Sequence, residues 1–425
     1  MSKNNQNVIK VLGQGTYGCA VKPHIKCGSQ EEVSKGFLSK IQPNNKTTEN
    51  EIAIGEKLAR YTDRFAPITD SCPLTSGKIQ RDILNKCDKL DKTNDAMSIS
   101  KVRYVGKETL DIFFQNIISM NSKDNSTKYL KQVINKHLFL LESLEVLNRE
   151  NVLHLDIKSD NIMIDDTTKR PIIIDFGISY DASKLQIEEY KKTTEPFGII
   201  IDYYTPWCFE IILLTHISRY LIGKKDGKSL IIDAEKEKRV ITSDEIAKLK
   251  SETLEKFIKK NTILQMSIFT DAEKQEYLSR LQDMINGFEG QNWTQIWNLI
   301  IATKYTWDNY ALSVLILSEL ELSGLIQISK NNTKTNPKNS FNDYIQVLKN
   351  ILLGINNTPK ETIIKITKLF GNVKKKDYTK VAGELEHVFK DKNILYTMGV
   401  KRNAVKEKTI IEKDMLTQKL KAKTI

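Results

Sequence analysis

The sequence predicts an α+β fold in which strands come first and helices follow. Residues 8–21 read as a strand, a glycine-rich turn and a second strand, and Ser98–Val105 has the composition of a further strand. In Leu110–Ile118 and Tyr129–Leu147, apolar residues recur at helical spacing. These observations predict a small, mainly β N-terminal part and a large helical C-terminal part.

The length of 425 residues suits two or three structural units with substantial apolar cores. No stretch approaches the roughly 18 uninterrupted apolar residues of a membrane-spanning helix. The first residues, Met1–Gln6, are polar and lack the apolar segment of a signal peptide. We therefore expect a protein that is not secreted and that works in a reducing cytoplasm.

The formal net charge is +12. A solvated lysine surface explains it best, because lysines without interleaved aromatic residues do not favour base-specific readout. Attraction to an anionic partner such as nucleic acid is the alternative. The C-terminal tail, Lys401–Ile425, carries eight basic and three acidic residues. It is interpreted as a solvated terminal helix, with a nucleic-acid or partner arm as the alternative.

Five cysteines occur at positions without the tight spacing of a metal site: Cys19, Cys27, Cys72, Cys87 and Cys208. A zinc site or a disulfide is one hypothesis for Cys27, Cys72 and Cys87, which lie in the N-terminal third with His24 nearby. Ordinary reduced thiols are the favoured interpretation, because a cytosolic setting keeps thiols reduced.

Polar groups are concentrated around two short apolar runs, Asn161–Ile164 and Pro171–Ile174. Strand-sized runs cannot bury such groups, so we expect them to project from loops at the strand ends. The set comprises His154, Asp156, Lys158, Asn161 and Asp175. Acceptors converging with an ammonium group suit a metal-bound polyphosphate and a hydroxyl nucleophile.

The glycine-rich turn has the spacing G-x-G-x-x-G, formed by Gly13, Gly15 and Gly18. This spacing alone is a weak signal, since dinucleotide-binding folds and ordinary turns share it. A strand rather than a helix follows the third glycine, which favours a lid over phosphates and disfavours a dinucleotide-binding turn.

The pattern His-x-Asp-x-Lys-x-x-Asn followed by Asp-Phe-Gly closely resembles the catalytic and magnesium loops of eukaryotic-type protein kinases. The resemblance implies a two-lobed α+β fold, ATP and Mg²⁺ as cofactors, and a protein substrate. Small-molecule kinases usually lack a lysine two residues after the catalytic aspartate, and Lys158 is present here. That lysine also favours Ser/Thr over Tyr as the acceptor.

The resemblance also assigns roles. Asp156 would orient the attacking hydroxyl and accept its proton, and Lys158 would steady the γ-phosphoryl group. Asn161 and Asp175 would hold Mg²⁺. The other implied nucleotide-binding positions are Gly13, Gly15, Gly18, Ala20, Lys40 and Glu51, of which Ala20 replaces the valine usual in the family.

Two lysines are candidates for the phosphate-binding lysine. Lys40 lies between apolar neighbours at strand spacing, whereas the glycine after Lys35 indicates a turn, so Lys40 is favoured. Its expected partner is Glu51, predicted to open a helix over Asn50–Tyr61, and Glu49 is the weaker alternative.

The resemblance also suggests a domain organisation. Asp308 would begin a helix that braces the catalytic loop, and Glu210 would take the place of the glutamate that closes the activation segment. Far more residues separate these two positions than the family needs. Capping and helical periodicity in Ser243–Lys260 and Thr270–Gly287 indicate a helical insertion. The expected units are an N-lobe over 1–105, a C-lobe over 106–400 with the insertion at about 221–303, and the tail over 401–425.

The run Tyr-Gly-Cys-Ala-Val-Lys-Pro, with Cys27 after it, resembles kinases encoded by large nucleocytoplasmic DNA viruses. This resemblance implies a location in the cytoplasm of an infected host cell or in the virion. The alternative functions are a pseudokinase-like scaffold and a structural virion component on the same fold.

Leu155 stands where many kinases carry an arginine before the catalytic aspartate. In those enzymes the guanidinium pairs with a phosphate on the activation segment. Leucine cannot make that pair, so we expect packing, involving Trp207 and Phe209 or the insertion, to hold the segment here.

Overall fold

A computed structural model describes residues 9–15, 18–26, 36–74, 87, 96–119, 125–190, 203–225, 229–232, 237–323, 326 and 340–370. The chain divides into two compact units. The first consists of Met1–Leu110 and Ser159–Tyr180, and the second of Asp111–Lys158 and Asp181–Ile425. Lys35, Cys27 and the basic tail Lys401–Ile425 lie outside the described residues.

The strands are β1 (Lys10–Gly15), β2 (Gly18–Lys22), β3 (Phe37–Pro43), β4 (Phe65–Ala66), β5 (Ile68–Pro73), β6 (Met97–Arg103), β7 (Glu108–Thr109), β8 (Val152–Leu153), β9 (Ile162–Ile164), β10 (Pro171–Ile174), β11 (Tyr180–Asp181), β12 (Ile222–Lys225) and β13 (Ser229–Ile232).

The α-helices are α1 (Lys46–Leu58), α2 (Leu110–Ser119), α3 (Asn125–Arg149), α4 (Ile187–Tyr190), α5 (Phe209–Leu221), α6 (Ser243–Lys248), α7 (Glu255–Lys260), α8 (Asp271–Asn286), α9 (Trp293–Ile301), α10 (Trp307–Leu322), α11 (Ser340–Leu352) and α12 (Pro359–Phe370).

The first unit is built on a five-stranded sheet in the order β1-β2-β3-β6-β5. All its neighbouring strands are antiparallel. Val21, Ile41 and Ile99 are buried on these strands and form a hydrophobic core with neighbouring apolar residues. The register places Lys40 of β3 between Ala20 of β2 and Ser100 of β6. The lysine chosen from the sequence therefore lies at the centre of the sheet.

A second sheet of the first unit has the order β4-β10-β9-β7. Strand β10 runs parallel to β4 and antiparallel to β9. The apolar runs predicted as strands are both confirmed, since they form β9 and β10. Asp175 follows the last residue of β10 and lies at the end of that strand.

Helix α1 begins at Lys46, four residues before the predicted start at Asn50. Asn45 caps it, since its side-chain oxygen accepts a hydrogen bond from the amide of Thr48 at 3.1 Å. Glu51 consequently lies in the interior of the helix rather than in its first turn, and it is buried.

The expectation of reduced thiols is wrong for three of the cysteines. Cys19 and Cys87 form a disulfide in the core of the first sheet, and Cys72 is also disulfide-bonded. His24 instead contacts Ser39, its Nδ1 lying 2.9 Å from the hydroxyl oxygen. Among the described residues no group of three His, Cys, Asp or Glu side chains could hold a metal ion. Cys208 is a buried free thiol.

The second unit is organised around α10, in which 13 of 16 residues are buried. A helix that is buried on all sides belongs to the centre of a core. Helices α3 and α11 pack against it, and α12 packs against α3. Helix α3 contributes a buried stripe at helical spacing: Leu130, Val133, Leu140, Leu144 and Leu147.

The region predicted as a helical insertion contains α6 to α9, with a π-helical segment, Leu249–Leu254, between α6 and α7. The capping box of Thr270 and Glu273 is present as predicted. The region also contains an antiparallel hairpin of β12 and β13, which the helical interpretation missed. Within the described ranges, no helix is long and apolar enough to span a membrane.

We expect the stability of the second unit to fall in acid because of one buried histidine. Burial lowers the pKa of His137 to about 3, while its Nδ1 lies 2.8 Å from the hydroxyl of Tyr344. A histidine with a depressed pKa stabilises the fold above its ordinary pKa and loses this contribution as the pH falls. Between about pH 7.5 and about pH 4.5 the loss should be roughly 2–3 kcal/mol.

Denaturant unfolding at the two pH values measures this loss. His137→Gln keeps a hydrogen-bonding group beside Tyr344 but cannot titrate, so its stability should depend less steeply on pH. Equal slopes for the two proteins would contradict the assignment.

Candidate functional site

The predicted site residues are divided between the two units. Lys40, Glu51, Asn161 and Asp175 belong to the first unit. Asp156 and Lys158 belong to the second.

In the first unit, Lys40 joins residues from three places in the chain. Its ammonium nitrogen lies 2.6 Å from Oε1 of Glu51 on α1 and 3.2 Å from Oδ1 of Asp175 after β10. The structure therefore brings together the three residues that the sequence predicted for this part of the site. The alternative Lys35 lies outside the described residues.

The charges of this cluster depend on one another. Burial lowers the pKa of Lys40, but the carboxylates of Glu51 and Asp175 outweigh it, so the pKa lies well above its ordinary value. Burial raises the pKa of Glu51, and the ammonium of Lys40 opposes that rise. The two carboxylates thus stabilise the charged form of Lys40, and Lys40 in turn stabilises the charged form of Glu51 against the effect of burial.

The glycines of the predicted lid have different surroundings. A Cβ atom at Gly18 would lie 2.8 Å from the carbonyl oxygen of Ile41 on β3, so this position must be glycine for β2 and β3 to approach. At Gly13 an added Cβ would meet nothing within 4 Å. Gly13 therefore borders open space, as a phosphate lid requires, whereas Gly18 has a packing role.

Asn161 and Asp175 are the predicted magnesium ligands. Asn161 ends a 3₁₀ turn, Ser159–Asn161, and is buried. Asp175 has a φ of 63°, a conformation that L-residues rarely adopt and that is common at functional sites. Amide and carboxylate oxygens are the ligand type that Mg²⁺ prefers, so these two residues fit the ion chemically.

In the second unit, Asp308 holds the start of the loop that carries Asp156, as predicted. Its two carboxylate oxygens accept hydrogen bonds from the amides of His154 at 2.7 Å and Leu155 at 2.8 Å. Leu155 has a φ of 62°, which costs about 1–3 kcal/mol in a residue with a side chain. Asp308 therefore keeps the backbone in an unfavourable conformation immediately before Asp156.

Asp156 and Lys158 contact each other closely. The ammonium nitrogen of Lys158 lies 2.7 Å from Oδ1 and 2.8 Å from Oδ2 of Asp156. The hydroxyl of Tyr204 donates a hydrogen bond to Oδ1 of the same carboxylate. A carboxylate and an ammonium group thus lie together on the loop, where a hydroxyl group already contacts both.

The segment of residues 203–209 packs onto the loop that carries Asp156. Its contact with Leu155 is a hydrogen bond between neutral groups. The indole nitrogen of Trp207 donates to the carbonyl of Leu155 at 2.8 Å. Phe209 is buried, and its ring centroid lies 5.3 Å from that of Phe257 on α7. The two aromatic residues named from the sequence therefore hold this segment by packing, with a helix of the inserted region as one partner.

Sequence reasoning missed two contacts of this segment. The sequence assigns no separate role to Tyr204, because its hydrogen bond to Asp156 joins positions 48 residues apart. Glu210 was expected to close the segment, and the structure shows its partner, since Nδ2 of Asn356 donates to Oε1 of Glu210 at 3.2 Å. Nothing in the local sequence points to Asn356.

Comparison with known families gives one finding about this region. Residues 80–197 match the family model described as protein kinase domain. A search of curated proteins finds no match. The matched range includes Asp156 and Asp175 but neither Lys40 nor Glu51. The contact between Lys40 and Glu51 is therefore an observation that does not depend on the family match.

The match supports a protein-kinase family and, with it, phosphoryl transfer to proteins. It agrees with the mainly β first unit and the helical second unit. The predicted α+β, kinase-like fold class is thereby confirmed.

We expect Gly55→Ala to disturb the Lys40 cluster. A Cβ atom at Gly55 would lie 2.1 Å from the carbonyl oxygen of Ile68, so α1 must move away from β5. Glu51 lies one turn earlier on α1 and should move with it. The free energy of unfolding should be lower than that of the wild-type protein by about 1–3 kcal/mol. Gly36→Ala is the matched control, since an added Cβ there meets nothing within 4 Å; similar losses in both variants would refute the explanation.

We expect Asp308→Asn to destabilise the second unit by about 2–3 kcal/mol, because an amide has one acceptor oxygen and leaves a buried backbone N–H unpaired. Asp271→Asn is the isosteric control, since the Asp271 side chain is 98% exposed. Denaturant unfolding compares the two variants. A loss as small as that of the control would show that Asp308 does not hold the loop.

Proposed function

We propose that this protein transfers the γ-phosphoryl group of ATP to serine or threonine hydroxyls of a protein substrate, with Mg²⁺ as the cofactor. The contact of Lys40 with both Glu51 and Asp175 carries the proposal. It joins residues up to 135 positions apart in the sequence. A buried ammonium group held by two carboxylates suits the binding of phosphate oxygens.

Residues of the first unit bind the nucleotide in this proposal. Lys40 contacts the α and β phosphates, and Glu51 orients its ammonium group. Gly13, Gly15 and Gly18 allow the β1–β2 turn to cover the phosphates, and Ala20 contacts the adenine.

Asn161 and Asp175 hold Mg²⁺ through their side-chain oxygens. An Mg²⁺ ion held by these two residues would supply positive charge against the negative charge of the phosphates.

Residues of the second unit act on the acceptor. Asp156 accepts a hydrogen bond from the substrate hydroxyl, orients it and takes its proton. Lys158 places a positive charge beside Asp156 and steadies the transferred group. Its presence two residues after Asp156 favours Ser/Thr as the acceptor.

The location in an infected-cell cytoplasm or in a virion rests on the resemblance of residues 17–23 to viral kinases and stays a prediction. Nucleic-acid binding by Lys401–Ile425 likewise stays a prediction. On a plot of log affinity against log salt concentration, each phosphate that the tail neutralises would make the downward slope steeper by about 0.9.

Asp156→Asn is expected to lower turnover by at least about a hundredfold, because it removes the proton acceptor while keeping the shape of the side chain. The assay uses purified protein, labelled ATP, Mg²⁺ and a protein substrate, and phosphoamino-acid analysis identifies the acceptor residue. ATP should still raise the melting temperature of the variant.

Asp160→Asn is the control, since Asp160 lies in the same stretch and is exposed. Unchanged turnover in Asp156→Asn would refute the catalytic assignment. Binding of ATP without any transfer by the wild-type protein would favour the pseudokinase-like scaffold. Label on tyrosine would refute the Ser/Thr assignment.

A further inference from the structure

A second hydroxyl group lies at the proposed catalytic carboxylate. The hydroxyl of Tyr204 donates to Oδ1 of Asp156, and the ammonium nitrogen of Lys158 lies 3.0 Å from the same hydroxyl oxygen. One side chain therefore contacts both groups that the proposed reaction uses. Tyr204 and Asp156 are 48 positions apart, so the contact belongs to the folded unit.

Tyr204 has little freedom to leave this position. Its side chain is buried, and its ring meets the ring of Trp207 edge-on at a centroid distance of 5.5 Å. Trp207 is in turn bonded through its indole nitrogen to the carbonyl of Leu155. The phenol is thus attached at both ends to the loop that carries Asp156.

A hydrogen bond from a neutral donor to a carboxylate is among the stronger ones in a protein interior. Here it fixes the rotation of the Asp156 carboxyl group and the position of the Lys158 ammonium. The phenol carries no charge, so the attachment needs no phosphate on the segment. This property agrees with Leu155, which offers no cation for such a phosphate.

We propose that Tyr204 is a positioning residue for phosphoryl transfer, which orients Asp156 and Lys158 and couples the 203–209 segment to them. The inference rests on the proposed function. It differs from that function because it concerns a side chain that neither binds the nucleotide nor accepts the proton. The opposite possibility is that the phenol blocks Asp156, and the sign of a single substitution distinguishes the two.

Tyr204→Phe removes one oxygen atom and keeps the ring against Trp207. Turnover should fall at least tenfold, equivalent to about 1.4 kcal/mol of barrier. The KM for ATP should stay within about twofold, because Tyr204 acts on the transfer step and not on nucleotide binding. Because a smaller folded fraction would also lower the apparent kcat at constant KM, kcat is calculated per folded enzyme, with the folded fraction taken from thermal unfolding of the same variant.

Tyr203→Phe is the matched control. Tyr203 is the neighbouring buried tyrosine, and its hydroxyl makes long contacts, 3.4 Å to Oδ1 of Asn261 and 3.5 Å to the hydroxyl of Thr262. Its kcat should equal that of the wild-type protein. An equal fall in both variants would reduce the effect to packing and overturn the proposal. Unchanged or increased turnover in Tyr204→Phe would also overturn it, and an increase would identify a block.

A thermal-unfolding cycle tests the contact without relying on activity. Melting temperatures are measured for the wild-type protein, Tyr204→Phe, Asp156→Ala and the double variant, since alanine removes the acceptor of the Tyr204 hydrogen bond. Because the two side chains bond to each other, the loss in the double variant should be smaller than the sum of the single losses. Additive losses would overturn the contact. A wild-type protein that transfers no phosphate would refute the proposed function and the positioning role together, while the cycle would still report the contact.

Discussion

Two hydrogen bonds from adjacent backbone amides to Asp308 determine the shape of the proposed catalytic loop. They hold Leu155 in a conformation that leucine avoids, and this conformation sets the direction of Asp156. Burial raises the pKa of Asp308, while His154 and the two amides oppose that rise, so the amides help to keep the carboxylate charged. The carbonyl of Leu155 then becomes the acceptor for Trp207. The core helix α10 thereby sets the local structure of the loop and of the segment that packs on it.

In the first unit the main constraint is electrostatic, because charged side chains lie where little water reaches them. Glu51 is buried on α1, and Lys40 lies on the central strand of the sheet. Buried charges are costly unless they are paired, and removing one partner usually costs more than the pair contributes. The close approach of α1 to β5 at Gly55 sets the distance over which the pair forms. Backbone packing and charge pairing are therefore coupled in this unit.

Much of the fold and of the candidate site could be predicted where neighbouring residues carry the signal. The two apolar runs around residues 161–174 limited the polar groups to loop positions, and strand spacing distinguished Lys40. The hydrogen bond of Tyr204 and the disulfide of Cys19 could not be predicted, because each joins distant positions and depends on packing. The earlier start of α1 was a different kind of error. Asn45 is a preferred N-cap residue, so the sequence itself indicates a helix that begins at Lys46.

The disulfide between Cys19 and Cys87 has a consequence for how the protein matures. Cys19 is 1% exposed and Cys87 is not exposed at all, so no oxidant in solution can reach either sulfur in the finished sheet. Oxidation of the pair therefore needs an open sheet, as in the newly synthesised chain, where the two sulfurs are accessible. Once formed, it closes a loop between positions 68 residues apart and lowers the entropy of the unfolded chain by the equivalent of about 4 kcal/mol. The chemical environment of the newly synthesised chain thus decides which covalent form of the protein exists afterwards.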